Sequence, residues 1–146
     1  MSATADHAEE RTNPAAKLGF EPGQVVQEIG YDDDVEHELR EGIEAVIGQD
    51  LVDEDYDDVA DAVLLWFRDD DGDLTDALVD AIGLIDEGGT VWLLTPKTGR
   101  DGYVEPSEIN EAAQTAGLSQ TRSINAGKDW TGSRLVSPKA AKTGKR

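Results

Sequence analysis

The densest group of potential ligating oxygens in the chain is Asp69-Asp70-Asp71-Gly72-Asp73. A calcium loop needs Asp at its first position, glycine at its sixth and a bidentate Glu at its last. With Gly72 at the sixth position, Phe67 falls first and Leu78 last. The spacing fails, and the run reads as a solvated turn ending in a helix cap. His7 stands in a polar N-terminal stretch and His37 on the polar side of a helix, so neither is placed as a base. Ser107 and Ser119 lack a histidine partner, which leaves Ser/His/Asp chemistry without its parts. Cysteine is absent, so there is no thiol nucleophile, thiolate metal site or disulfide framework. The sequence therefore predicts no catalytic residue, no metal and no cofactor. What it does offer is a basic group, Lys97, Thr98 and Arg100 with Lys128 and Trp130. This group is either an anion-binding corner or an ordinary basic loop balancing nearby acids. Trp130 favours the first, because a hairpin loop rarely needs a tryptophan for packing.

These residues must be held by strands and helices that the apolar pattern places. Ala60 to Phe67 is a near-continuous apolar run, too short for a buried helix, and reads as a strand covered on both faces. Asp73 caps a helix whose apolar stripe is Leu74, Ala77, Leu78, Ala81, Ile82 and Ile85, stopped by Gly88-Gly89. Thr90 to Leu94 is a second buried strand. The unit strand, helix, strand is a parallel crossover. Upstream, Gln24 to Gly30 is a first strand, and Asp32 to Asp34 offer caps for a helix with stripe Val35, Leu39, Ile43, Val46 and Ile47, ended by Gly48. Gln49 to Val59 is read as connection: Leu51-Val52 lies too close to the strand at Ala60 for a parallel return. Downstream, Pro106 opens a third helix that ends at Gly117-Leu118. Ser119 to Ala126 and Ser133 to Val136 form a closing hairpin around Gly127 to Gly132. Residues 1–16 and the basic stretch 139–146 are expected to be disordered tails, leaving one domain over 17–138.

Charge is polarised along the chain. The first 88 residues carry 27 Asp and Glu against four Lys and Arg, a net of −23; the remainder carries five against nine, a net of +4. So negative a field repels phosphate backbones and anionic lipid, which argues against nucleic-acid or membrane binding through the first part. Solubility or adaptation to a salty cytoplasm would account for it, as would an acidic docking face for a basic protein partner. No apolar run of membrane-spanning length or secretion signal occurs, so a cytoplasmic location is expected.

Open parallel sheets bind ligands beyond the carboxyl ends of their strands, and in this α/β scaffold that edge would gather three segments: 30–34, 66–71 and 95–100. A nucleotide site needs a Gly-x-Gly-x-x-Gly turn after the first strand. Gly30-Tyr31-Asp32-Asp33-Asp34 stands there instead, with carboxylates that repel phosphate.

Val63-Leu64-Leu65-Trp66, Leu78-Val79-Asp80-Ala81, Glu87-Gly88-Gly89-Thr90-Val91-Trp92-Leu93-Leu94, Ala116-Gly117-Leu118 and Arg134-Leu135-Val136 resemble the C-terminal half of class I S-adenosylmethionine-dependent methyltransferases. The first half departs from that pattern: it lacks the glycine-rich turn and the strands whose acidic residue would hold the cofactor ribose. A second likeness is more specific. Pro22 to Gly30, Leu64-Leu65-Trp66, Asp71-Gly72-Asp73-Leu74, Leu93 to Arg100 and Lys128-Asp129-Trp130 resemble a small actinobacterial family of unknown function, over about Leu18 to Lys139. It implies a single-domain bacterial protein and carries over no activity.

The expected fold is thus a three-layer, trimmed Rossmann-like sheet of three parallel strands plus a C-terminal antiparallel hairpin, with helices on both faces. The expected function is a non-catalytic binding or regulatory module contacting a protein through the acidic face of residues 1–88, or a small anion at the Lys97/Arg100/Trp130 corner. The alternative is a small methyltransferase, with Glu28 and Gly30 at the methionine end of the cofactor and Asp53 or Glu54 on its ribose.

Overall fold

A computed structural model of the chain describes residues 18–136, apart from the side chains of 86–88. The stretches expected as tails, 1–16 and 139–146, lie outside the described residues. The elements in order are β1 (Val26–Ile29), α1 (His37–Ile47), β2 (Ala60–Trp66), α2 (Leu74–Ile82), β3 (Ile85–Pro96), α3 (Pro106–Ala116), β4 (Ser119–Asn125) and β5 (Trp130–Val136), with a 3-10 turn at Asp69–Asp71. They build one sheet in the order β1-β2-β3-β5-β4. β1, β2 and β3 are parallel, and β5 runs antiparallel to both β3 and β4. The expected three parallel strands with an antiparallel hairpin are therefore present.

Alternation along the strands divides the core into two clusters. Ala62, Leu64 and Trp66 of β2 and Trp92 and Leu94 of β3 pack with Leu39, Ile43 and Ile47 of α1. Val63, Leu65, Val91 and Leu93 face the other way, against Leu74 and Leu78 of α2 and Ile109 and Ala113 of α3. Because β2 is buried on both faces, its sequence is continuously apolar rather than alternating. Each fully buried leucine contributes about 1.5–3 kcal/mol of transfer free energy.

The helix ends follow their local chemistry, with two corrections. Asp73 caps α2 by accepting from the backbone N–H of Asp76 at 2.9 Å. Gly48 and Gly117 close α1 and α3 in the left-handed conformation that favours glycine. Asp32 to Asp34, however, do not cap α1. Glu36 stands at its N-cap and makes no side-chain cap bond, and Asp34 is drawn instead to Arg68. Nor do Gly88-Gly89 stop α2. The helix ends at Ile82, Ala60 N donates to Leu84 O (2.9 Å), and β3 is already paired to β2 at Ile85. The pairing steps from Ala60↔Ile85 to Ala62↔Thr90, so Gly88-Gly89 lie in a bulge of β3, where glycine relieves the irregular backbone.

The 49–59 segment is a connection with one addition. Val52 forms a single parallel bridge to Gln27 on the outer side of β1, with Val52 N donating to Val26 O (3.0 Å) and Glu28 N to Val52 O (2.8 Å). Gln27 Nε2 pins the same segment by donating to the backbone oxygens of Asp53 and Tyr56.

Candidate functional site

The carboxyl ends of β1 and β2 meet at Gly30 and Arg68. Gly30 adopts φ +83°, and a Cβ there would stand 2.3 Å from Trp66 O, so the strand end approaches β2 too closely for any side chain. Arg68, two residues past the end of β2, reaches into this junction. Its Nη1 donates to Gly30 O (2.9 Å), Trp66 O (3.3 Å) and Asp71 Oδ2 (3.3 Å), and its Nε to Asp34 Oδ2 (3.1 Å). The guanidinium lies 5.2 Å from the centroid of the Trp130 ring, and Trp130 Nε1 in turn donates to Asp34 O (3.0 Å). Arg68 is thus a hub for three chain segments that meet only at this edge. Its hydrogen bond, aided by its charge and opposed by partial burial, holds the Asp34 carboxyl below the ordinary carboxylate range.

A second cluster lies beside the first on the α1 face. Glu28 is buried, and Arg40 donates to it from Nε (2.6 Å) and Nη2 (2.8 Å) while Trp66 Nε1 donates at 2.8 Å. Both carboxylate oxygens are therefore engaged. These bonds raise the Arg40 pKa further above its ordinary value. Arg40 also sits 4.7 Å over the ring of Tyr31, which is half exposed. Outside it, Glu28, Tyr31, Arg40, Asp53, Glu54 and Asp55 border a hollow of about 450 Å³. Glu54 reaches back to accept from Gly30 N at 2.9 Å. The structure thus gathers Glu28, Gly30, Asp53 and Glu54 at one edge of the sheet.

It does not gather the basic group in the same way. Trp130 is not a loop residue: it opens β5, is 2% exposed, and meets Trp66 edge-to-face at 4.9 Å. Its indole N–H and hydrophobic ring are both satisfied internally, which is why a tryptophan occurs there. Arg100 pairs with Asp129 at 3.2 Å, and together with Asp34, Asp101 and Trp130 they border a hollow of about 440 Å³. Thr98 lines a different cavity, Lys128 is exposed, and Lys97 contributes its backbone N–H to Asp129 O (2.9 Å).

Arg40 and Arg68 are the residues that reading from the sequence passes over. A signal was available: between residues 18 and 88 they are the only Lys or Arg. Lone cations in so acidic a stretch are candidates for holding carboxylates together, and each does so here.

Residues 15–139 match a family described as protein of unknown function (DUF3052). The chain belongs to this family. Relatives described as uncharacterized proteins of Mycobacterium bovis and Mycobacterium tuberculosis are 54% identical over 142 residues, covering 97% of this chain and 87% of theirs. Among solved structures, this DUF3052 chain is similar to the pyocyanin biosynthetic protein PhzM, with a TM-score of 0.63 and 12% identity over 89% of this chain and 55% of PhzM. It therefore spans about half the length of PhzM. It is also similar to magnesium protoporphyrin IX methyltransferase (ChlM) from Synechocystis PCC 6803, solved with bound SAM: TM-score 0.53, 13% identity, 92% of this chain and 80% of that one. At such identities the likeness shows the fold alone, a Rossmann-like sheet of the methyltransferase type. Both resemblances read from the DUF3052 sequence, to a family of unknown function and to the class I methyltransferase scaffold, are borne out. Among the described residues, no helix is long and apolar enough to cross a membrane.

Proposed function

We propose that the protein is a non-catalytic binding module on a methyltransferase-like scaffold whose strand-end crevice, a hollow of about 340 Å³, is lined by an arginine whose donors are already engaged. The observation that carries this reading is Arg68. It lies across the carboxyl ends of β1 and β2 with its donors on Gly30 O, Trp66 O, Asp34 and Asp71, where an open parallel sheet would receive a ligand. A cofactor laid over Gly30 would have to displace these bonds. Glu28 offers it nothing either, since both its oxygens are engaged.

The surface this reading assigns to recognition is the acidic flank. Tyr31 with Asp53, Glu54 and Asp55 makes an aromatic ring bordered by carboxylates, which suits the ammonium or guanidinium of a basic protein segment. The small-anion reading of Lys97, Thr98, Arg100, Lys128 and Trp130 has less support, because Asp34, Asp101 and Asp129 border the same hollow as Arg100. Affinity capture from cell extract tests the module directly. A basic protein enriched on the wild-type chain and lost on Tyr31→Ala or Asp55→Lys is the expected result; no enrichment, together with turnover of a metabolite by the pure protein, would refute it.

A methyltransferase is the second reading, favoured by one observation: Glu28, Gly30, Asp53 and Glu54 converge on one edge of a methyltransferase-like sheet. It requires measurable affinity for S-adenosylmethionine, which the first reading excludes.

A further inference from the structure

The two edges of the sheet differ in how they end. β1 is shielded by the 49–59 segment, whereas β4 has β5 as its one strand partner among the described residues, and every residue of β4 except Ile124 is exposed. Ala126 N donates to Trp130 O (3.0 Å), so antiparallel alternation bonds Ile124 and Arg122 across to β5 and turns the backbone groups of Ser123 and Asn125 outward. Open N–H and C=O groups along a strand are a template for a further strand. The bulge of β4, between Gln120 and Arg122, leaves 122–125 regular.

The charge on this edge selects the kind of strand that fits. Arg122 and Arg134 are direct cross-strand neighbours, on the face that carries Trp92 and Ile124. Like charges so placed repel. Arg40, Arg68 and Arg100 each meet a carboxylate, but among the described residues Arg122 and Arg134 meet none. Arg134 is held toward β4 by Thr121, whose Oγ1 accepts from its Nη1 at 2.9 Å. Between Glu111 and Val136 the only acid is Asp129, in the turn and paired with Arg100, although the whole chain carries 32 Asp and Glu. The acidic flank at β1 stands four strand spacings away, about 19 Å, well beyond the screening length of about 8 Å at physiological salt. A second copy of the chain does not suit this edge, since pairing β4 with β4 brings two arginine doublets onto neighbouring strands. An acidic strand does. We propose that the open edge of β4 takes up an extended acidic peptide as a sixth strand, its backbone on Ser123 and Asn125 and its alternate carboxylates on Arg122 and Arg134. The site lies at the opposite edge of the sheet from Tyr31 and Glu54, so it stands or falls separately from the binding-module reading.

The test is a titration of the full chain with a capped heptapeptide, Thr-Glu-Val-Glu-Thr-Glu-Val, followed by the backbone amide NMR signals. Saturable shifts of Ser123 and Asn125, with slowed hydrogen exchange of both amides, are expected. The same peptide with glutamine for glutamate keeps the strand without the charge and should bind about tenfold more weakly, the loss of two exposed ion pairs. A peptide with every backbone nitrogen methylated keeps the charge, cannot donate to the edge, and should not bind. Arg122→Gln should weaken the acidic peptide about two- to fivefold, the worth of one such pair, and Arg122→Glu should abolish its binding. Arg122 is exposed, so both variants keep the fold. Absence of saturable shifts at Ser123 and Asn125, equal binding of the glutamine or the methylated peptide, unchanged affinity in Arg122→Glu, or dimerisation of the peptide-free chain that protects the same two amides would each overturn the proposal.

Discussion

On the face covered by α1, Glu28, Arg40 and the three indole N–H groups of Trp66, Trp92 and Trp130 all have partners. On the face covered by α2 and α3 one buried polar atom is left over: Gln27 Oε1, which alternation puts on this side, is sealed without a partner among the described residues. The first face resembles a finished core, in which any ligand must compete with bonds already made. The second has space under α3, a cavity of about 130 Å³ bordered by Thr95, Val104, Ile109 and Ser133.

That contrast can be broken hardest at Glu28. Glu28→Ala strands Arg40 and removes the acceptor of Trp66 Nε1, so it should cost about 3–5 kcal/mol, the range for removing one partner of a buried pair; urea denaturation measures it, and a loss below about 1 kcal/mol would mean that the pair is dispensable. Arg68→Ala comes next. Leaving Gly30 O and Trp66 O without their donor should cost about 1–3 kcal/mol in the same assay.

Acid titration sharpens the same point with a smaller effect. The folded-state pKa of Asp34 is lowered by Arg68, so its contribution is complete above the ordinary carboxylate range and is lost as pH falls through the lowered value. The stability gap between wild type and Asp34→Asn, followed by urea midpoints at successive pH values, should close as pH falls through that window. A gap that widened on acidification would contradict the pairing. Thr95→Val is the smallest change. The hydroxyl borders the cavity under α3 rather than being sealed, so the protein should keep its stability within about 0.5 kcal/mol.

Most of the architecture was legible because each element announced itself locally. The continuous apolar run of β2, the Asp73 cap and the Pro106 start are short-range signals, and the structure keeps all three. The errors arose where partners distant in sequence decided the outcome. Gly88-Gly89 read as a helix stop because nothing local shows that β2 recruits Ile85 into the sheet. Trp130 read as a hairpin-loop residue because its indole partner, Asp34 O, and its ring partner, Trp66, are both far away along the chain, whereas it opens β5 and is buried. The hydroxyl-lined cavity was illegible for the same reason: Thr95, Ser123, Thr131 and Ser133 come together only through strand register.

The claim on which the functional reading depends is that the chain's own Arg68 occupies the strand-end crevice. Isothermal calorimetry of the full chain with S-adenosylmethionine tests it most directly. Binding absent or no tighter than millimolar is the result this account predicts, whereas a micromolar dissociation constant would contradict it and restore the methyltransferase reading.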